Sequence, residues 1–289
     1  MTRVPSMREE NHFLLTVDVD GWSSLLNYYS VDHNPEIAAS LVDVNDGVET
    51  LLDLFKKNDV KSTFFITGNM AKDNKSMLKK IIRNGHEIAC HGLTHNKNEF
   101  LQDDLTQENS IIKATQLITE ISGNKPSGFR APCLRLNIDT LKILNKLGYA
   151  YDSSVIPSYI PGYYGIIDAP KKPYNPSSDS ISKRGDMNIV EIPVSVNPLI
   201  PLPLSAAWMR NLGTYWVKSG IKLNFYYDNP VAFYIHPRDV SDLPRMKGVP
   251  WHLYRNIGKK CVKMLDEIIK FVKEKKAEIL PCIEYLKYV

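Results

Sequence analysis

Short, densely apolar runs rich in β-branched and aromatic residues alternate with longer amphipathic stretches along nearly the whole chain. No other feature constrains the fold as much. FLLTVDVDGW (13–22) opens on continuous apolar residues, as a strand buried on both faces does, and ends at two aspartates and a glycine. VKSTFFITG (60–68), HEIACHG (86–92), GFRAP (128–132), YAYDSS (149–154), IVEIPVSV (189–196) and PVAFYIHP (230–237) read the same way. Helical patterns separate them at 36–57, about 74–84, 106–122, 137–147, near 205–219 and at 253–274, with Gly85 and Gly148 placed as C-terminal stops. A long Pro-, Ser- and Tyr-rich loop with room for a hairpin is expected from Pro157 to Gly185, and a last strand in AEILPCIEYL.

This alternation, with no internal repeat and no low-complexity linker, implies one α/β domain over residues 1–289 with a mainly parallel sheet, barrel or open. Such folds carry their chemistry at the carboxyl ends of the strands. Asp18, Asp20, His91, Arg130, Asp152 and His236 all fall at or just past such ends.

Composition narrows the function classes. Apolar residues at 43% and charged residues at 24% are ordinary for a soluble globular protein. A net charge of +4, spread along the chain, argues against a nucleic-acid partner. No apolar run reaches the length of a transmembrane segment, and MTRVPSMREENH lacks the apolar core of an export signal, so a cytoplasmic location is expected. Cys90, Cys133, Cys261 and Cys282 have no CxxC spacing and read as free, buried thiols.

Three of the seven histidines, His86, His91 and His95, lie within ten residues. His91 and His95 are four apart and suit one borderline-soft metal, although histidines at that spacing also decorate exposed helix faces. Asp18 and Asp20 are two apart and share a face on a regular strand; they can sit in a solvated Asp-Gly turn or project into a strand-end cleft. Two His and one Asp form a ligand set that leaves a position open for water. An unligated Asp18 could then take a proton, and His236 could give one to a leaving amine. His86 precedes the apolar residues of its strand and is expected on the far side of the sheet as a structural residue.

TVDVDGW, HGLTH, FRAP, YDSS and FYIHP, in this order and at these separations, resemble the NodB-type polysaccharide deacetylases (carbohydrate esterase family 4) from about residue 13 to 285. The DVD form and the PGYYGIIDAP loop look most like the peptidoglycan-deacetylase and exopolysaccharide-locus branch. The resemblance implies an irregular (β/α)7 barrel and a hydrolase that removes an N-acetyl group from an N-acetylhexosamine-containing glycan or a lipid- or nucleotide-linked precursor. It implies one divalent metal, zinc first with cobalt or nickel as alternatives, held by Asp20, His91 and His95. Asp18 would be the general base, oriented by Arg130. His236 would be the general acid, tuned by Asp152, and the backbone N–H of Cys133 would hold the oxyanion.

The expected partner is a carbohydrate or glycolipid substrate, with no nucleic acid and no membrane span, and a homo-oligomer stays open. Two other readings keep the fold: a hydrolase of a linear or cyclic ureide, and a catalytically silent carbohydrate-binding protein. Arg135 reads as a surface residue, and the apolar segment 196–213, which holds Trp208, reads as core.

Overall fold

A computed structural model describes residues 10–29, 44–158 and 165–289. Its strands are β1 (His12–Val19), β2 (Thr63–Ile66), β3 (Glu87–Cys90), β4 (Gly128–Phe129), β5 (Tyr151–Asp152), β6 (Pro176–Ser177), β7 (Ser180–Arg184), β8 (Val190–Glu191), β9 (Val231–Ile235) and β10 (Glu278–Ile279). β1 is central: it pairs with β9 along 13–17, with β2 along 16–19 and with β10 at 12–13. The sheet continues from β2 through β3, β4 and β5 to β8, and every pairing in it is parallel.

Beyond β8 the sheet curls back onto β9 through Ser195, whose N–H donates to the Ala232 carbonyl at 3.0 Å. Its Oγ accepts from the Ala232 N–H at 2.9 Å. The expected strand 189–196 forms a ladder only over Val190–Glu191, because Pro193 has no N–H to offer the next rungs. The result is the irregular parallel barrel expected from the sequence.

The period-two alternation of β1 decides where the site lies. Phe13, Leu15, Val17 and Val19 face outward into the large apolar cluster shared with the helices. Leu14 faces inward among Phe65, Ala89, Tyr151 and Ala232. Thr16 and Asp18 share the inward parity and bring polar groups to the carboxyl end of the barrel interior. Outside the barrel, the helix Val44–Lys57 buries Val48, Leu51, Leu52 and Phe55, and Asp104–Ser122 buries Ile111, Ala114 and Ile118.

Several boundaries differ from the sequence reading, each for a local reason. The stretch near 205–219 forms two helices, Ala206–Leu212 and Thr214–Tyr226, separated at Gly213, whose φ of 91° is costly for other residues. The expected helix 253–274 starts at Lys259, after a single turn at Trp251–Tyr254. The last expected strand keeps only Glu278–Ile279; Pro281 then caps a short helix, Cys282–Tyr285. The loop 157–185 contains the β6–β7 hairpin. Residues 36–43 of the expected first helix, and 161–164 of the PGYYGIIDAP loop, lie outside the described residues.

Candidate active site

A cavity of about 150 Å³ opens at the carboxyl ends of the strands, lined by Asp18, Asp20, His91, His95, Cys133, His236 and Arg238 among others. Six of the eight residues singled out from the sequence therefore meet at one place. Arg130 lies directly behind it, and Asp152 does not reach it.

Asp18 ends the inward row of β1 and is held by Arg130, which is fully buried just past β4. Arg130 Nη1 donates to Asp18 Oδ1 at 2.6 Å and to Thr16 Oγ1 at 2.8 Å. Nε and Nη2 donate to the Ser153 carbonyl and hydroxyl, both at 2.8 Å. The guanidinium also lies over the Phe65 ring, 4.1 Å from its centroid. Burial pushes the Asp18 carboxyl up, but Arg130, ahead of His91 and His236, outweighs it and holds the group below its ordinary value. Asp18 is thus an ionised carboxylate at neutral pH.

The HGLTH segment follows β3 and is shaped by a residue the sequence reading did not single out. Buried Glu99 accepts from the Leu93 and Thr94 N–H groups at 2.6 and 3.1 Å and from Thr94 Oγ1 at 2.8 Å. Gly92 makes the turn with φ 74°, and a Cβ there would stand 2.9 Å from the Phe100 ring. His95 is itself left-handed, with φ 63°.

His91 Nδ1 is 2.7 Å from the Arg130 carbonyl; as the donor there it leaves Nε2 as a free base toward the cavity. Burial lowers the pKa of both rings, that of His95 to about 4, so both are neutral. His86 stands apart: its Nδ1 accepts from the Ser62 N–H at 3.2 Å, and the ring packs on Phe55 and Phe64.

His236 follows β9 in the turn HPRD, and here the sequence reading is corrected. Its partner is Asp239, whose Oδ2 lies 3.3 Å from His236 Nδ1 and accepts the His236 N–H at 2.9 Å. Asp239 Oδ1 pairs with Arg210 at 2.9 Å, and Arg210 also donates to the Leu253 and Arg255 carbonyls. Burial raises the Asp239 carboxyl, and Arg210 ahead of His236 more than reverses that.

Asp152 is spent elsewhere. It accepts from Ser154 Oγ at 2.7 Å and from the Ser154 N–H at 3.2 Å, and Ser154 Oγ in turn accepts the Ala131 N–H at 2.8 Å. It braces the loop that carries Cys133 and does not tune His236. Glu191 beside it is pushed far up by burial and by Asp152, so that pair shares a proton. Cys133 sits with φ 54° in a tight turn at the cavity, its thiol pushed up to about 12 by burial, so its backbone and not its sulfur is the group suited to polar contact.

Arg238 was not anticipated either. It donates to Asp20 Oδ1 in a very short ion pair, while Asp20 Oδ2 lies 3.3 Å from His95 Nε2. The chemistry of Asp20, His91 and His95, one carboxylate and two neutral imidazoles at one cavity, fits a divalent ion such as zinc. The Asp20–His95 separation is also a normal spacing for two donors on one ion. The three are nevertheless not drawn together: among the described residues, the group of His, Cys, Asp or Glu whose ligand atoms all lie within 4.8 Å is Glu10, His12 and Glu278, at the opposite end of β1.

Residues 15–151 match the polysaccharide deacetylase family, and residues 153–276 match a domain of unknown function, DUF3473. A peptidoglycan deacetylase of Helicobacter pylori is 25% identical over 278 residues, covering 86% of this chain and 94% of that one. A solved structure from Mycobacterium smegmatis assigned to the polysaccharide deacetylases superposes with a TM-score of 0.65 at 22% identity, over 96% of this chain and 95% of the other. PuuE allantoinase shares the fold with a TM-score of 0.61 at 18% identity, over 93% and 85% of the two chains. The match to the polysaccharide deacetylase family spans residues 15–151, just under half of the chain, and the Helicobacter relative and the Mycobacterium structure are both described as deacetylases, a class of hydrolases acting on the carbon–nitrogen bond of N-acetylated carbohydrate.

Proposed function

We propose that the chain hydrolyses the N-acetyl amide of an N-acetylhexosamine, in a glycan or in a lipid- or nucleotide-linked precursor, with one divalent ion held by Asp20, His91 and His95. The observation that carries this reading is that a carboxylate and an imidazole, each held by a buried partner, meet over one cavity. Asp18 is fixed as a carboxylate by Arg130, and His236 is fixed by Asp239 through its Nδ1.

In this reading Asp18 accepts a proton from water as the water oxygen bonds to the acetyl carbonyl carbon. Arg130 keeps Asp18 ionised and immobile. The backbone N–H of Cys133 donates to the oxygen that gains charge in the tetrahedral intermediate. His236 Nε2 gives its proton to the sugar nitrogen as the carbon–nitrogen bond breaks, and acetate and a free amine leave. The ion, when bound, supplies Lewis-acid polarisation of the carbonyl and acidifies water.

The H. pylori relative's name puts peptidoglycan among the substrates to try first. The allantoinase likeness, at 18% identity, is a likeness of fold. The test is acetate release from N-acetylglucosamine oligomers and from a nucleotide-linked N-acetylhexosamine, with allantoin as the competing substrate. Acetate from the sugars and no turnover of allantoin is the expected result; the reverse pattern overturns the reading.

A further inference from the structure

Asp20 is 3% exposed, and its two oxygens face two different partners, Arg238 on Oδ1 and His95 Nε2 on Oδ2. Arg238 belongs to the turn that starts at His236, and its side chain is 12% exposed at the same cavity as His91 and His95. A guanidinium stays charged at every working pH, so the Asp20–Arg238 pair is formally neutral. The carboxylate that should draw a cation into the cavity is already matched by a cation of the chain's own.

A divalent ion held by Asp20 and His95 would share the Asp20 carboxylate with that guanidinium, and like charges on one carboxylate repel where water is scarce.

We propose that Arg238 is an internal cation that competes with a divalent metal ion for Asp20. Metal binding and the Asp20–Arg238 ion pair are then mutually exclusive, or nearly so. The ion enters as the guanidinium turns away toward the open cleft, and the affinity for the ion is set partly by the strength of the ion pair it replaces. Arg238 is in this sense a positioning residue for the cation site, acting through Asp20. The inference rests on the ligand set of the preceding reading.

The test is metal affinity of the full chain, stripped with chelator and titrated with zinc or cobalt against a chromogenic competitor. Wild type, Arg238→Gln and Arg238→Lys are compared, each with its melting temperature with and without metal. Arg238→Gln keeps a polar side chain of similar reach and removes the charge; Arg238→Lys keeps the charge. The expected result is one ion per chain, bound about tenfold or more tightly by Arg238→Gln than by wild type, a coupling of ordinary size between two sites. Arg238→Lys should stay near wild type, and zinc should raise the melting temperature of Arg238→Gln by more than it raises that of wild type.

Equal or weaker affinity in Arg238→Gln overturns the proposal, as does the absence of binding in all three proteins. Acetate release by wild type, measured on the same preparations, separates this outcome from the fate of the deacetylase reading. Active wild type with unchanged affinities sinks only the competition. Tighter binding in Arg238→Gln with no acetate from any sugar sinks only the substrate assignment.

Discussion

Asp239→Asn perturbs a deeply buried charged assembly at the site. Arg210 and Asp239 have side chains 4% and 3% exposed and meet at 2.9 Å, and Asp239 also holds both the N–H and the ring of His236. Asparagine keeps one acceptor for the His236 N–H but withdraws the negative charge from Arg210 and presents an NH2 group to one of its former donors. Leaving a buried cation without its counter-charge costs about 3–5 kcal/mol. The two carbonyls that Arg210 keeps, on Leu253 and Arg255, place the expected loss at the lower end, about 3 kcal/mol.

For a chain of this size that loss lowers the melting temperature by roughly 5–10 °C. The sign of the pH dependence follows from the depressed carboxyl. Its contribution is complete above the unfolded value of about 3.9 and fades as pH falls from there toward the lower folded value. The gap between wild type and variant should therefore be full at pH 7 and narrow in acid. Turnover should fall about 10²–10⁴-fold, the usual contribution of a positioned general acid. Thermal melts from pH 3 to 8 together with acetate-release rates check both. A melting temperature at pH 7 within about 2 °C of wild type, with turnover intact, would refute the assignment of Asp239 as the brace of His236.

Other substitutions separate structural from chemical roles. Asp18→Asn leaves the buried Arg130 without its counter-charge and should cost a similar amount of stability, about 3 kcal/mol, while kcat falls about 10²–10⁴-fold in acetate release measured well below the variant's melting temperature. Arg130→Lys cannot reproduce a fork that binds Thr16, Asp18 and Ser153 together, and should cost about 2–4 kcal/mol in urea unfolding. Glu191→Gln replaces a carboxyl already neutral in the fold; relative to wild type it should gain stability as pH rises above about 4.3, the reverse of Asp239→Asn.

Most of the architecture was legible because buried parallel strands are written as continuous apolar runs, and because polar residues at their carboxyl ends stand out against them. Asp18, Asp20, His91 and His236 were picked out that way, and His95 by its spacing from His91. What sequence could not supply was partner choice at close range. Asp152 ends a strand as a helper of His236 might, yet Ser154 takes both its oxygens. Asp239, three residues beyond His236, closes the turn and captures the ring instead. HPRD carried that signal in its spacing, an acidic residue three after the histidine.

Arg210 lies inside 196–213, read as apolar core, and the segment does bury Leu204, Ala206 and Met209, but it also delivers the buried cation that fixes Asp239. Arg238 was hidden for another reason: whether a lone arginine in a turn faces water or a carboxylate depends on where the far end of β1 lies, which no local pattern encodes.

The central claim is that Asp18 and His236 act on the amide of an N-acetylated sugar. The most direct measurement is acetate released from an N-acetylglucosamine oligomer by zinc-supplied wild type and by Asp18→Asn, both assayed well below the variant's melting temperature. The account predicts steady acetate from wild type with an equal yield of free amine, and a rate at least about a hundredfold lower from the variant. Equal rates from the two proteins, or no acetate from wild type across N-acetylated glycans and precursors, would contradict it.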